Sequence, residues 1–213
     1  MTGLDTPGLS RREARRRDRR DAIMQVALRS FLEKGYAATT MSEIAATLGG
    51  SKGTLWSYFP SKDDLFAAVL RHAMDAYHAG LMQILDAPGE LKPTLHRFAT
   101  DLLRRVTSPE ALALHQLVVT EAARFPKMGA IFFEIAPKHT RALLADYLTA
   151  AMARGQLRDA DAPLAARTLI MLTLSGCHQK VMWGLLTERS DAQIRQDVDF
   201  AVDCFLRIYA PER

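Results

Sequence analysis

Apolar residues recur at helical spacing along most of this chain, beginning near residue 23. Ile23, Ala27 and Phe31 follow one another at intervals of four, and charged residues such as Glu33 lie off that stripe. One apolar side and one charged side at this period predict an amphipathic helix. Because glycine commonly ends helices, we expect this first helix to end at Gly35.

A second helix is predicted to begin after Thr40. The sequence Thr40-Met41-Ser42-Glu43 has the form of a capping box, in which the threonine hydroxyl and the glutamate carboxylate each accept a backbone N–H of the other residue. Apolar residues then share one side of the helix until Gly49-Gly50 ends it; they are Met41, Ile44, Ala45 and Leu48.

A third, short helix is predicted over about 52–58, with Ser51 as its N-cap. Leu55 and Phe59 point to one side, and the residues that point to the other are Lys52, Gly53, Trp56 and Ser57. Two short helices joined by a glycine turn, each with buried anchors, indicate a helix-turn-helix. In that motif the second helix enters the DNA major groove, and its N-terminal residues contact base edges.

The next helix is predicted to be long and to begin at Lys62, with Ser61 as its N-cap. A lysine in the first turn is unfavourable for the helix dipole, which stabilises anions there. A bound phosphate would explain the lysine, since helix N-termini bind anions. We therefore expect Lys62 to contact the DNA backbone.

The remainder of the chain is predicted to be entirely helical. Breakers such as Pro88-Gly89 and Ser108-Pro109 divide it, and no strand-like alternation of useful length occurs. The predicted helices cover about 62–85, 93–106, 110–124, 127–154 with a kink at Pro137, 164–183 and 191–209. The expected fold is all-α, with about nine helices: a three-helix helix-turn-helix domain followed by a helical bundle.

The basic residues are concentrated at the N-terminus. Residues 1–20 hold seven arginines and three acidic residues, which accounts for the whole formal net charge of +4. Such a cluster is typical of an arm that lies against DNA phosphates or enters a minor groove, and the alternative is a solvated, disordered tail. We expect a flexible basic arm over 1–20, in which Arg15, Arg16 and Arg17 contact DNA, a helix-turn-helix domain over 21–68, and a sensing and dimerisation domain over 69–213.

Other classes of protein are disfavoured by what the sequence lacks. No apolar run reaches the roughly 18 residues of a membrane span, and no secretion signal is recognisable, so a cytoplasmic location is expected. Cys177 and Cys204 lie in apolar helical context, which leaves open whether either is redox-active. His72 and His78 are six residues apart and lie on different sides of a helix, so no metal site and no cofactor are expected.

Two alternative functions were weighed against DNA regulation. A helical-domain enzyme would require acid–base or nucleophile chemistry, but no nucleophile elbow, phosphate loop or His-Glu-x-x-His pattern is present. A structural DNA binder without sequence preference would spread its basic charge over the body, whereas residues 21–213 are formally neutral. We therefore expect a protein that is not an enzyme.

The helix-turn-helix region resembles the DNA-binding domain of the TetR/AcrR family of bacterial regulators. The resemblance is carried by Gly35-Tyr36-Ala37-Ala38-Thr39-Thr40-Met41-Ser42-Glu43-Ile44-Ala45 and by Ser51-Lys52-Gly53-Thr54-Leu55-Trp56-Ser57-Tyr58-Phe59-Pro60-Ser61-Lys62-Asp63-Asp64-Leu65. Glu121-Ala122-Ala123-Arg124-Phe125-Pro126 further resembles a subgroup with an AefR-like C-terminal domain. The resemblance implies a dimeric repressor that binds a palindromic operator and is released by a small apolar or amphipathic effector.

The resemblance also implies roles for individual residues. Thr39, Thr40 and Lys62 would contact phosphates, and the surface that reads and clamps DNA would consist of Ser51, Lys52, Gly53, Thr54, Trp56, Ser57 and Tyr58. Two departures from the family pattern stand out. Gly50 replaces an apolar residue after the turn, and Trp56 replaces a tyrosine, which exchanges a phenolic contact for an indole N–H donor.

Two further sets of residues are expected in the C-terminal domain. A sensor pocket is usually apolar with a few polar groups, and its candidates, for each of which plain core packing is the alternative, are Met74, Tyr77, Phe98, Phe132, Met171, His178 and Trp183. The last two predicted helices are implied by the resemblance to form the dimer interface, the alternative being a monomer core. The interface candidates are Ile194, Val198, Val202, Phe205 and Tyr209.

Overall fold

A computed structural model describes residues 11–49, 52–187 and 189–211, and shows no strand among them. Ser51 and the side chain of Lys52 lie outside this description. The helices are α1 (Arg11–Ala38), α2 (Met41–Thr47), α3 (Lys52–Tyr58), α4 (Lys62–Asp86), α5 (Leu91–Val106), α6 (Pro109–Glu121), α7 (Pro126–Phe133), a π-helical turn (Glu134–Lys138), α8 (His139–Ala153), α9 (Ala162–Leu174), α10 (Cys177–Met182) and α11 (Asp191–Tyr209). The all-α prediction is confirmed.

The first helix is longer at its N-terminus than the sequence pattern indicated. Residues 11–20 continue the helix of the DNA-binding domain without a break, so the prediction of a flexible arm is wrong for them. Their arginines are therefore held on the surface of a helix. At the predicted end, Gly35, the regular helix breaks: this residue has a non-helical backbone with φ 84° and ψ 167°, and a short helical segment continues to Ala38.

Three aromatic rings form the centre of the first core. Phe31 stacks on Tyr36 with centroids 5.5 Å apart, and Phe66 meets both rings edge-on at 5.4 Å. Val118 of α6 and Met128 of α7 are buried in the same cluster. Fully burying a side chain of this size stabilises the fold by about 1.5–3 kcal/mol. Elements of the C-terminal domain thus complete the core of the DNA-binding domain.

The second core lies between α5, α8, α9 and α11. Its centre includes Leu95, Phe98, Leu169 and Phe205, which are completely buried. The N-terminal ends of α9 and α11 are capped by Asp161 and Ser190, whose side chains accept the N–H groups of Leu164 and Gln193. Helices α6 and α7 lie outside this core and pack against α1 and α4, whereas α10 packs against α9 and α11.

Two of the long predicted helices are divided in the structure. The segment predicted over 164–183 breaks at Gly176, where the Asp197 carboxylate accepts the backbone N–H of Cys177 at 2.6 Å. A Cβ at position 176 would overlap that carboxylate, so the glycine allows α11 to approach. Pro137 lies in the π-helical turn between α7 and α8, where the extra residue accommodates the missing proline N–H.

None of the helices in the described part of the chain is both long enough and apolar enough to cross a membrane.

Candidate DNA-binding surface and sensor domain

The entry to the helix-turn-helix is fixed by capping. Thr40 Oγ1 accepts the Glu43 N–H at 3.2 Å, and Glu43 Oε2 accepts the Thr40 N–H at 3.2 Å. The capping box predicted from the sequence is therefore present, and it satisfies two backbone donors at the start of α2. At the other end of α2, Arg19 of α1 donates to the Leu48 carbonyl oxygen at 3.1 Å.

The recognition helix α3 has a buried and an exposed side, as predicted. Leu55 and Phe59 are buried anchors in the first core. Trp56 has 48% of its surface exposed, although a large aromatic side chain normally lies in a core. The other residues that face outward on this helix are Gly53, Thr54 and Ser57, while Tyr58 is half-buried.

The arginines of α1 divide into two groups. Arg16 lies over the ring of Tyr58 at 5.8 Å, and Arg20 lies over the ring of Phe59 at 5.3 Å. These two side chains, one helical turn apart, brace the C-terminal end of α3. Arg15 and Arg17 are exposed on α1, and their predicted contact with DNA stays a prediction.

Two residues that the resemblance implied as phosphate contacts have internal partners instead. Thr39 is buried, and its hydroxyl lies 2.8 Å from the Gly35 carbonyl oxygen and 3.0 Å from that of Ser30. Lys62 Nζ donates to the carbonyl oxygens of Tyr36 at 2.7 Å and Thr39 at 3.1 Å. Thr39 as a phosphate contact is contradicted by its burial. The lysine in the first turn of α4 is explained by the carbonyl groups at the end of α1, without a phosphate.

A polar cluster, which we call the α1–α6 junction, connects the two domains; it consists of Tyr36, Lys62, Asp63, Glu121 and Lys127. Tyr36 donates its hydroxyl proton to Asp63, and Lys127 Nζ lies 2.8 Å from Asp63 Oδ2. The hydrogen bonds from Lys127 and Tyr36 lower the pKa of Asp63. Burial, together with the hydrogen bond to Asp63, raises the pKa of Tyr36. The sequence pattern gave no signal for this cluster, because its members are up to 91 positions apart.

The seven predicted pocket residues do not come together. Phe98 is in the second core, whereas Met171 and Trp183 are 47% and 68% exposed. These three residues cannot line one internal pocket with the others. Met74 is half-buried on α4, and Tyr77, on the same helix, has a buried hydroxyl with no hydrogen-bond partner among the described residues.

Two of the predicted pocket residues are linked by a histidine that the sequence analysis missed. His115 of α6 lies between Phe132 of α7 and His178 of α10, with ring centroids 6.3 and 6.1 Å away and interplanar angles of 25° and 20°. Burial lowers the pKa of His115 and of His178, which favours the neutral form of both imidazoles. Phe132, His115 and His178 thus link α7, α6 and α10, and we call these three rings the aromatic column.

A second histidine pair lies between α4 and α8. The rings of His78 and His139 are 4.4 Å apart, and His78 Nε2 lies 3.3 Å from Thr140 Oγ1. Burial, with a further contribution from His139, lowers the pKa of His78 to about 4. A separate open cleft lies at the distal ends of α4 and α8, next to Leu85, Leu143 and Tyr147, and it includes none of the predicted pocket residues.

Comparison with known proteins identifies both parts of the chain. Residues 23–69 match the family described as bacterial regulatory proteins, tetR family. Residues 93–211, more than half of the chain, match the AefR-like transcriptional repressor, C-terminal domain. The chain belongs to the TetR family. The resemblance seen in the sequence, including the AefR-like subgroup, is confirmed.

Relatives of this TetR-family regulator agree in fold and in length. A TetR-family transcriptional regulator of Mesorhizobium loti superposes with a TM-score of 0.80 at 27% identity, over 92% of this chain and 98% of the other. The flavonoid-responsive regulator FrrA gives a TM-score of 0.79 at 30% identity, over 92% and 99%. The HTH-type transcriptional repressor KstR2 of Mycolicibacterium smegmatis is 29% identical over 151 residues, which cover 70% of this chain and 73% of that repressor. These proteins are regulators, which confirms the prediction that the chain is not an enzyme.

The predicted dimer contacts of the TetR-family chain require correction. The five candidates on α11 are buried within their own chain, against α5 and α9, so they cannot contact a second copy; they are Ile194, Val198, Val202, Phe205 and Tyr209. Helices α9 and α11 also have large apolar side chains that face outward: Leu164 and Met171 on α9, and Phe200 and Ile208 on α11. The spacing of each pair, seven and eight residues, places both members on one side of their helix.

Proposed function

We propose that this DNA-binding regulator acts as a dimeric, ligand-responsive repressor that binds a palindromic operator in the cytoplasm. The observation that carries the proposal is the outer side of α3, where Trp56 is exposed while Leu55 and Phe59 anchor the helix from within. An indole exposed beside Gly53, Thr54 and Ser57 provides stacking area and donors at a surface that a DNA groove can accept. The neighbouring arginines Arg15 and Arg17 supply attraction to phosphates.

A second copy of the chain is proposed to pack on the exposed apolar sides of α9 and α11. Phe200 is 57% exposed, and Ile208 follows two turns later on the same side. The two helices are also joined by a 3.3 Å hydrogen bond between the side chains of Thr168 and Tyr209. Apolar side chains repeated along two adjacent helices suit an isologous contact, which would set the spacing of the two recognition helices.

The effector is proposed to be a planar aromatic compound that binds at the Phe132–His115–His178 column. Neutral imidazoles can stack on an aromatic ring and can also exchange hydrogen bonds with its hydroxyl or carbonyl groups. The flavonoid-responsive regulator FrrA, with the same fold and 30% identity, is named for effectors of this shape. Because the column connects α6, α7 and α10, an inserted ring would displace α6 and thereby change the spacing of the recognition helices.

A selection experiment on the full-length protein tests this function. Random-sequence duplexes enriched on the protein are expected to contain an inverted repeat with half-sites one or more helical turns apart. Trp56→Ala should change the preferred bases and reduce the binding free energy for the selected duplex by about 1–3 kcal/mol. The matched surface change Arg17→Ala should weaken binding to all DNA sequences equally. Flavone and its hydroxylated derivatives should then release the selected duplex. Enrichment without an inverted repeat, or a duplex that no flavone derivative releases from the protein, would refute the corresponding part of the proposal.

A further inference from the structure

We propose that Glu121 is the positioning residue through which the sensor domain controls the orientation of the DNA-binding domain. This inference rests on the proposed function, since it assigns the path by which α6 acts on α1. It also gives a role to the sequence from Glu121 to Lys127, which lies away from both the recognition helix and the second core.

The first observation is a two-point contact between Glu121 and the backbone at the end of α1. Oε1 accepts the N–H of Tyr36 and Oε2 accepts the N–H of Ala37, each at 2.7 Å. These are charge-assisted hydrogen bonds at the short end of their usual range. The turn at Gly35 directs both amides towards α6. A Cβ at position 35 would overlap Glu121 Oε1, and its φ of 84° also favours glycine.

The second observation is that the same peptide segment is held from the opposite side by α4. Lys62 Nζ binds the carbonyl oxygens of Tyr36 and Thr39 and lies 4.3 Å from the centroid of the Tyr36 ring. The N–H of Tyr36 therefore binds a carboxylate of α6, and its C=O binds an ammonium group of α4. Burial lowers the pKa of Lys62, and the negative charge of Glu121 opposes that shift.

The third observation is that α7 closes the junction. The ring of Phe125 meets that of Tyr36 edge-on with centroids 5.2 Å apart, and Lys127 binds the Asp63 carboxylate, which also receives the Tyr36 hydroxyl. Three structural parts thus converge on Tyr36: the end of α1, the start of α4, and the α6–α7 corner. A displacement of α6 must either move the end of α1 or break two charge-assisted hydrogen bonds. His115 is six residues before Glu121 on the same helix, so a change at the aromatic column reaches the junction through less than two turns.

The test compares Glu121→Gln with Glu134→Gln in the full-length protein. Glu121→Gln keeps the size of the side chain but replaces one acceptor oxygen with a donor. Glu134 is an exposed glutamate paired with Lys138 at 2.7 Å in the adjacent π-helical turn, which makes it a matched control. Hydrogen exchange is measured with and without the duplex selected above. Without DNA, Glu121→Gln is expected to raise exchange of the Tyr36 and Ala37 amides about tenfold, and Glu134→Gln to leave it unchanged.

With DNA, the expected result separates coupling from stability. In the parent protein and in Glu134→Gln, the duplex should change exchange of residues 110–133, although they do not touch it, because the two sites are linked reciprocally. In Glu121→Gln, the duplex should still bind within about threefold of the parent affinity, but that remote change should disappear. A remote change as large as that of the control would overturn the proposal. If selection yields no duplex, the proposed function fails, and equal exchange of residues 36 and 37 in the two variants would then overturn the role of Glu121 separately.

Discussion

The DNA-binding domain and the C-terminal domain present their exposed apolar residues differently. In α3 an exposed tryptophan lies directly beside a buried leucine, and the helix is only seven residues long. The 19-residue helix α11 buries one apolar stripe within the chain, and two further apolar residues, Phe200 and Ile208, face outward. A short helix held by two buried anchors, Leu55 and Phe59, leaves one choice of outer side. A long helix with apolar residues on two sides takes its orientation from the helices that pack against it.

Substitutions of Phe205 and Phe200 distinguish the buried side of α11 from its exposed side. Phe205→Ala should lower the free energy of unfolding by about 3–5 kcal/mol, because it opens a cavity in a closed core. Phe200→Ala should leave the helical circular dichroism unchanged but raise the dimer dissociation constant by about tenfold or more, as for an interface aromatic residue. Urea unfolding at fixed protein concentration and sedimentation velocity measure the two effects. If Phe200→Ala unfolded the protein while Phe205→Ala left its stability unchanged, the assignment of Phe205 to the core and of Phe200 to the dimer interface would be wrong.

The contrast between the domains also predicts that the C-terminal domain loses stability in acid. The pKa of His78 is lowered to about 4, so the folded chain resists a proton that the unfolded chain accepts near pH 6.5. The free energy of unfolding should therefore be highest, as far as His78 is concerned, above about pH 6.5. It should fall by on the order of 1–3 kcal/mol as the pH drops to 4. Burial shifts His115 and His178 in the same direction.

Thermal unfolding across this pH range, with His78→Gln as the comparison, measures the contribution of His78. The variant should lose less stability than the parent protein between pH 6.5 and 4. An identical pH dependence in the two proteins would show that His78 is not the group responsible.

The smallest expected effect concerns the cysteines. Burial, together with a hydrogen bond to Asp197, raises the pKa of Cys177 to about 11, so its thiolate is scarce at neutral pH. Iodoacetamide at pH 7 should leave Cys177 unlabelled over the time in which a peptide thiol reacts, and mild peroxide should not change operator affinity. Cys204 is half-buried on α11 and serves as the internal comparison by mass spectrometry. Faster labelling of Cys177 than of Cys204 would contradict this assignment.

The features that the sequence predicted correctly depend on neighbouring residues. The capping box at Thr40, the break of the first helix at Gly35 and the bounds of α11 are set by residues within a few positions of one another. The features that it missed depend on distant contacts. Thr39 and Lys62 were expected to contact DNA. Their actual partners are carbonyl groups near the end of α1, and the sequence does not reveal these contacts because they form only after α1 has turned at Gly35.

The candidate sensor residues show the same limit. The sequence identifies methionine and aromatic residues at helical spacing. It does not show which helices pack together and therefore which of these residues meet. Phe132 and His178 belong to one column only because His115 lies between them, and these three residues come from three helices. Met171 and Trp183 have the same character in sequence and face outward. Burial and orientation in this domain are properties of the packed helices.

The shared core has a consequence for how this architecture can be recombined. Val118 and Met128 pack among the residues of the DNA-binding domain, and Glu121 caps the turn at the end of its first helix. A fragment cut after residue 68 would expose the face of Phe66 and Tyr36 that α6 and α7 cover. The DNA-binding domain therefore loses part of its core when it is separated from α6 and α7. A working hybrid must therefore keep the α6–α7 corner together with the DNA-binding domain, so that the join lies beyond α7 and not after residue 68.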